Sequence, residues 1–464
     1  MNYVQVLPEI FSIVSSLVLL LLGIVSSRRV VNLLALSCTA VTLIILILST
    51  ENNEVFFFNS LLRFNLYIRS SQGLILVIGI LVLLLLDLSR HEYEYEFSIL
   101  ILFTLFGMIT LISTNSLLSF YLAFELMSIP LYILASFNKN SAYSCEAGIK
   151  YFVLSTLSSC IMLYGISLLY GYTGKIDFSQ LSLFIQDHQM TYGIVFGLVF
   201  IFIGLCFKLA IVPFHVWAPD VYQGAPTIIT TFFSTAPKAA LVTFLIRLIS
   251  EELVNVRNYI QPIFLCFSVL SVLISAFGAL RQKNLKRLLA YSSIGHAGFM
   301  FASLSVFTRV GIDSSLMYLI IYVIMSMGLF SYFIQIDDDN CNVANLAGIG
   351  KKHPILAFHL SVLLLSMAGI PPLAGFLAKF FVFKSLINSG FFAISLILAI
   401  ASVISCYYYL SIIKVMYFDR ASNNEIPCSK GLLISTSAAS LINIALFIYA
   451  ENLYSLIHLV TEGL

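Results

Sequence analysis

Residues 201–246 read IFIGLCFKLAIVPFHVWAPDVYQGAPTIITTFFSTAPKAALVTFLI, and this stretch decides the architecture. Two apolar runs flank a short polar connection, and each carries one lysine, Lys208 and Lys238. A helix needs about 20 predominantly apolar residues to cross a bilayer, and both runs reach that length with their flanks included. A charge at the bilayer centre costs at least about 2.5–3.5 kcal/mol on insertion scales, so it is rarely kept without a use. Pro213 follows Lys208, and Pro237 directly precedes Lys238. Proline frees backbone groups that hydrocarbon cannot satisfy, which is tolerated where a helix borders protein or a wet cavity. The same pairing recurs twice: Glu125 lies ahead of Pro130, and Lys379 follows Pro371-Pro372. Charges and breaks in the same segments point to a polar track across a membrane, and hence to ion movement.

Composition agrees. The 464 residues are 60% hydrophobic and 10% charged, with a mean hydropathy of +1.00. A soluble core of this size does not need that, and the chain reads as an all-α polytopic membrane protein in contact with lipid. A net charge of +2 offers no basic surface for nucleic acid. The eight cysteines, from Cys38 to Cys428, are scattered without a CxxC pair or a cluster with histidine, so they read as small packing residues. No metal site is expected. No cleavable signal or Arg-rich transit peptide is seen, because the N-terminus runs almost directly into a long leucine-rich apolar segment. The abundance of Phe (39) and Tyr (24) fits an AT-rich organellar genome, and the expected location is the mitochondrial inner membrane.

At about 20 residues per span, fourteen spans are expected: 8–26, 30–49, 71–88, 97–113, 115–137, 147–170, 191–215, 227–249, 259–280, 285–306, 313–335, 355–388 (long and broken), 391–416 and 432–450. Basic residues test this count through the positive-inside rule. Fourteen of the 24, including Arg28, Arg90, Lys286 and Lys351, fall on one side; six, including Arg63, Arg69, Arg247 and Arg309, fall on the other. Lys208, Lys238, Lys379 and Lys384 remain inside spans, and both termini are expected on the outer side. Residues 54–69 read as an aromatic hairpin, and 176–188 as an amphipathic helix at the interface. The expected organisation is an N-terminal three-helix segment with the hairpin (1–96), two halves (97–258 and 259–416), and a C-terminal helix and tail (417–464). A broken helix with a lysine at mid-span occurs once in each half, the pointer expected for inverted-repeat transporters.

Each candidate has a plainer alternative. Glu125 is a proton-binding carboxylate, a lysine counter-ion, or glue between helices. Lys208 has a long apolar run before it, which weighs against snorkelling. Lys238 follows threonines and serines that suit a hydrated wall or the repair of a freed carbonyl, and Lys379 follows a stretch that Gly369, Pro371, Pro372 and Gly375 cannot make continuous helix. Either lysine could also serve as a structural partner of buried carbonyls. His296 relays protons or satisfies a carbonyl. Lys150 pairs with Glu146 one turn away or joins a relay, and Lys384 sits nearer the outer interface. His215, His296 and His359 lack the paired spacing of a bis-histidine haem site.

The runs PFHVWAPDVYQGAPTIITTFFSTAPKAA, LKRLLAYSSIGHAGF and SMAGIPPLAGFLAKF closely resemble chain 2, the N-type antiporter-like subunit of respiratory NADH:ubiquinone oxidoreductase (complex I). The resemblance covers nearly the whole chain, and APDVYxGAPT followed by PKAA is specific to chain 2. It implies about fourteen membrane helices, with two inverted five-helix repeats each holding a broken helix. It also implies proton translocation by Glu125, Lys208, Lys238 and Lys379, with Lys150, His296 and Lys384 as further candidates. The chain would then be a non-redox subunit of a translocating NADH:ubiquinone reductase, driven by quinone reduction elsewhere. NADH, FMN, iron–sulfur clusters and ubiquinone would bind other subunits, and the partners would be neighbouring antiporter-like and small membrane chains. Two other classes stay open: a subunit of a cation/proton antiporter complex, and a purely structural membrane chain. In the relay reading, a buried lysine binds its proton when a carboxylate is close and releases it when the carboxylate withdraws. Moving that charge against ~180 mV takes about 4 kcal/mol.

Overall fold

The computed structural model describes residues 3–50, 54–89, 93–187, 190–252, 256–336, 341–420 and 429–464, so Arg90 and Cys428 lie outside the described residues. Among the described residues, the regular structure is helical apart from one hairpin. Its first helices are α1 (Leu7–Gly23), α2 (Arg28–Leu48), α3 (Leu66–Leu88), α4 (Glu96–Ser113), α5 (Leu117–Ala135), α6 (Ala142–Thr173) and α7 (Phe178–Asp187). Next come α8 (Tyr192–Leu209), α9 (Trp217–Gly224), α10 (Thr227–Arg247), α11 (Arg257–Ala279), α12 (Leu285–Leu304) and α13 (Arg309–Phe333). The last are α14 (Ile349–Lys352), α15 (Pro354–Ala368), α16 (Ala374–Asn388), α17 (Phe392–Phe418), α18 (Lys430–Ile448) and α19 (Ala450–Thr461). Strands β1 (Val55–Phe57) and β2 (Leu62–Phe64) pair antiparallel, with Val55 opposite Phe64.

Among the described residues, twelve helices are long and apolar enough to cross a membrane. A helix lies at each of the fourteen expected spans; the two outside those twelve are α12 and the broken pair α15–α16. Local signals set the ends. Asn65 accepts from the Ile68 amide at the start of α3, Ser116 and Ser119 form a capping box on α5, and Pro354 opens α15. In lipid, helices are held by close packing and hydrogen bonds rather than by expulsion from water. Gly107 of α4 shows this: a Cβ there would lie 2.5 Å from the Met127 backbone nitrogen, so only glycine allows α5 to approach this closely.

The packing defines two compact units. One contains Met1–Lys208, Ala236–Asn258 and Val460–Leu464; the other contains Leu209–Thr235 and Tyr259–Leu459. The sequence-based halves place 209–235 in the first half, whereas these residues pack with the second unit. The cause is the break after α8. Ala210 adopts a positive φ of 58°, the Val212–Pro213 peptide is cis, and no helix resumes before Trp217. Within the second unit, the segment that follows is tied to α12: Lys286 donates to the Ala225 carbonyl at 2.8 Å, and Arg287 pairs with Asp220 at 2.6 Å.

Two arginines expected as outer-side charges are buried in the first unit. Arg69 pairs with Glu9 at 3.2 Å, beside Gln72. Arg247 donates to the Ile112 carbonyl at 2.5 Å and to the Thr114 carbonyl. Those carbonyls belong to the end of α4, where a helix has no internal donors left and its dipole is negative, so Arg247 acts as a C-cap supplied by a distant helix.

Candidate functional site

Lys208 occupies the last turn of α8 and is buried. Its ammonium sits in an aromatic cage, 4.5 Å from the Tyr132 ring centroid, 4.7 Å from that of Tyr151 and 5.7 Å from that of Phe124. It donates to the Tyr132 hydroxyl at 3.1 Å and comes within 3.5 Å of the Tyr151 hydroxyl. Tyr132 in turn donates to Ser155 Oγ at 2.7 Å. Ring faces can contribute about 2 kcal/mol or more to a desolvated cation, so the cage holds the ammonium without fixing it in an ion pair. Glu125 lies on the same helix as Phe124 and Tyr132, and the hydrogen bonds of Lys208 go to the tyrosine hydroxyls and not to this carboxylate. Its Oε1 is buried with no hydrogen-bond partner.

Lys238 is buried on α10, directly after Pro237. The hydroxyls ahead of it are used within the helix: Thr231 donates to the Thr227 carbonyl at 2.9 Å and Thr235 to that of Thr231 at 2.8 Å. Such back-bonding satisfies the hydroxyls within their own helix. Lys150 does not join the cage. It pairs with Glu146 at 2.6 Å one turn away, with the side chains 40% and 56% exposed, which makes the pair a weak one.

In the second unit, Lys379 of α16 is buried and donates to the Ala368 carbonyl at 2.7 Å. Ala368 ends α15, so the lysine charge meets the negative end of a broken helix. The break creates this site. Gly369 turns the chain with φ 85°, which favours glycine, and a Cβ there would lie 2.8 Å from Lys379 Cδ, so a larger residue would displace the lysine side chain. The Phe299 ring lies 5.5 Å from the ammonium. Phe299 stacks on Tyr318 at 5.9 Å, and Tyr318 hydrogen-bonds His296 Nδ1 at 2.7 Å. His296 Nε2 meets the Tyr409 hydroxyl at 3.2 Å, and Tyr409 bonds to Ser292. A neutral imidazole donates from one nitrogen and accepts at the other, so His296 joins two tyrosines into one hydrogen-bonded chain. Lys384 is exposed and lies over the Phe381 ring at 5.8 Å.

The cage residues Tyr132, Tyr151, Phe124 and Ser155, and the partners Tyr318 and Tyr409, are not found by looking for charges. One signal is in the sequence: Phe124, Ser128 and Tyr132 recur every four residues, which places them on the face of α5 beside Glu125.

A membrane helix bundle with buried lysines at its helix breaks defines the class. The chain belongs to the family described as NADH:quinone oxidoreductase/Mrp antiporter, TM, whose model matches residues 114–405. It is 75% identical over 465 residues to the NADH-quinone oxidoreductase subunit N of Wolbachia sp. subsp. Brugia malayi (strain TRS), covering 100% of both chains. Its fold matches a chain of respiratory complex I from Thermus thermophilus with bound aureothin, with a TM-score of 0.85 and 30% identity, covering 97% of this chain and 98% of the other. A chain of the Mrp complex from Dietzia sp. DQ12-45-1b shares the fold at a TM-score of 0.88 and 18% identity, covering 99% of this chain and 97% of that one. The chain is a multi-pass membrane protein. The organellar location expected from composition is not supported, since the relative with 75% identity is bacterial. Phe- and Tyr-rich usage reports the base composition of a genome, and bacterial genomes reach it too.

Proposed function

We propose that this chain is a proton-translocating membrane-arm subunit of an NADH:quinone oxidoreductase, in a bacterial membrane and alongside other membrane-arm chains. Full-length likeness to a protein named NADH-quinone oxidoreductase subunit N supports this over a self-sufficient antiporter, for which the Mrp likeness offers the fold alone. The chain contributes to the enzyme as its translocating part; NADH, FMN, iron–sulfur clusters and quinone belong to other subunits. The positive-inside balance supports both termini on the outer side, and the two helix breaks support a pair of inverted repeats.

One observation carries the relay: Lys208 is held by aromatic faces and a tyrosine hydroxyl while the Glu125 carboxylate stands nearby, unbonded. A structural salt bridge would be closed. Here Glu125 can approach and withdraw, and Lys208 can gain and lose a proton with each movement. The proton then passes by way of Lys238 to Lys379, with His296 as a relay partner in the second unit. Lys150 and Lys384 lie at the margins of this path.

The test is Lys208→Met in the assembled complex, reading membrane potential in vesicles at matched NADH oxidation. Lower potential with intact assembly is expected. Wild-type potential would leave Lys208 as packing.

A further inference from the structure

One titratable pair outside the residues assigned so far adjoins the helix that carries Lys379. Asp313 of α13 is buried, its side chain 1% exposed, while His458 of α19 is 43% exposed, with Nδ1 3.0 Å from Asp313 Oδ2. Tyr454, one turn earlier on α19, reaches the same oxygen at 3.5 Å. The Tyr454 ring stacks on Phe381 of α16 at 5.1 Å, and on the His458 ring at 6.3 Å. Ser314, next to Asp313, donates to the Phe381 carbonyl at 3.2 Å. Phe381 is two residues beyond Lys379. Three helices of the second unit therefore meet where a buried carboxylate touches a half-exposed imidazole.

A buried carboxylate is costly unless paired, so some partner for Asp313 is needed. A neutral amide or hydroxyl would be enough to tie α19 to α13. Imidazole does more: of the side chains it alone changes charge near neutral pH without help, and a proton can enter at one nitrogen and leave from the other. The placement also fits a passage outwards. Arg309, at the start of α13, falls on the outer side in the positive-inside assignment, and Asp313 is one turn further in.

We propose that Asp313 and His458 form the proton-release dyad of the second unit, a role that rests on the translocation reading above. Asp313 Oδ2 takes up the proton after it has left Lys379, whose ammonium lies on another face of α16 from Phe381. His458 Nδ1 takes it from Oδ2, and the Nε2–H bond breaks to give a proton to the outer medium. One proton enters and one leaves; the carboxylate is restored, the imidazole is left as its Nδ1–H tautomer, and a ring flip or a proton shift through water returns it to the starting Nε2–H form, with no other reactant consumed. Tyr454 positions Asp313 and shields it on the side facing Phe381.

The test uses the whole complex in vesicles, comparing His458→Gln, Lys379→Met and wild type for membrane potential at matched NADH oxidation. Glutamine keeps an N–H donor for Asp313, so a structural tie survives, but it cannot exchange protons. His458→Gln should assemble and lose potential to the level of Lys379→Met. Imidazole supplied in the outer medium should restore it, because the His458 side chain is 43% exposed and the dyad as proposed releases its proton to that medium. Wild-type potential in His458→Gln, with loss in Lys379→Met, overturns the dyad and leaves the relay standing. Loss without rescue by imidazole assigns His458 a structural role and also overturns the dyad. Wild-type potential in Lys379→Met overturns the relay itself. Should His458→Gln fail to assemble, Asp313→Asn takes its place: loss to the Lys379→Met level supports the dyad, and wild-type potential refutes it.

Discussion

Tyr132→Phe separates the hydroxyl of the Lys208 cage from its ring. The ring face 4.5 Å from the ammonium stays, as do the rings of Tyr151 and Phe124. What goes is the 3.1 Å bond accepted from Lys208 and the 2.7 Å bond donated to Ser155. A hydrogen bond to a charged group contributes about 1.5–3 kcal/mol. At about 1.36 kcal/mol per tenfold change, the charged lysine becomes roughly 10- to 150-fold scarcer relative to the neutral one. A relay that needs Lys208 charged in one of its states should slow by at least about an order of magnitude at this step. Phenylalanine conserves the ring and nearly all the volume, so assembly should be retained. The assay is membrane potential in vesicles of the whole complex at matched NADH oxidation, with a native gel to verify assembly. Potential equal to wild type would remove the hydroxyl, and the Tyr132–Ser155 branch with it, from the proton path.

Three further outcomes follow from the geometry. Glu125→Gln should leave the complex assembled but lower both pumping and the quinone reduction coupled to it; normal pumping with full NADH oxidation would make the carboxylate structural. Gly369→Ala adds about 1–2 kcal/mol of left-handed strain and puts a Cβ 2.8 Å from Lys379 Cδ, so pumping should drop in an assembled complex. Unchanged pumping would show that the lysine does not need the end of α15. Arg247→Met strands two buried carbonyls at the end of α4, at about 1–3 kcal/mol each. Thermal denaturation of the purified complex should begin at lower temperature, and an unchanged midpoint would refute the capping role.

The helices were legible because lipid imposes one strong rule, a long apolar run for each crossing, and the runs around Lys208 and Lys238 satisfy it plainly. The breaks were legible from Pro213 and the Gly369–Gly375 stretch. The structure adds what the breaks are for: the end of α15 becomes the acceptor for Lys379. Sequence could not give that, since the carbonyl belongs to alanine and every residue has one. Side chains that act as partners to charges were also hidden. Tyr132 and Tyr409 look like ordinary apolar packing until the ammonium of Lys208 or the ring of His296 is placed beside them. The burial of Arg69 and Arg247 could not be read for another reason. Their positions near span ends fit the topology rule, which reports which side a charge favours and not whether its own helix bundle buries it. The packing of residues 209–235 with the second unit was not legible because their ties to α12 depend on Asp220 and the Ala225 carbonyl, neither of which signals a partner in sequence.

The claim that buried lysines carry the proton is tested most directly at Lys379. Methionine keeps the length and the apolar stem but removes the protonatable group and its bond to the Ala368 carbonyl. Stability should change little, since leaving the Ala368 carbonyl without this donor, at about 1–3 kcal/mol, is offset by no longer burying an ammonium. Membrane potential would be recorded in vesicles at matched NADH turnover for Lys379→Met and Lys384→Met. Lys379→Met should lose potential while Lys384→Met, exposed and outside the path, stays near wild type. Wild-type potential in Lys379→Met together with loss in Lys384→Met would contradict the account and move the exit to Lys384.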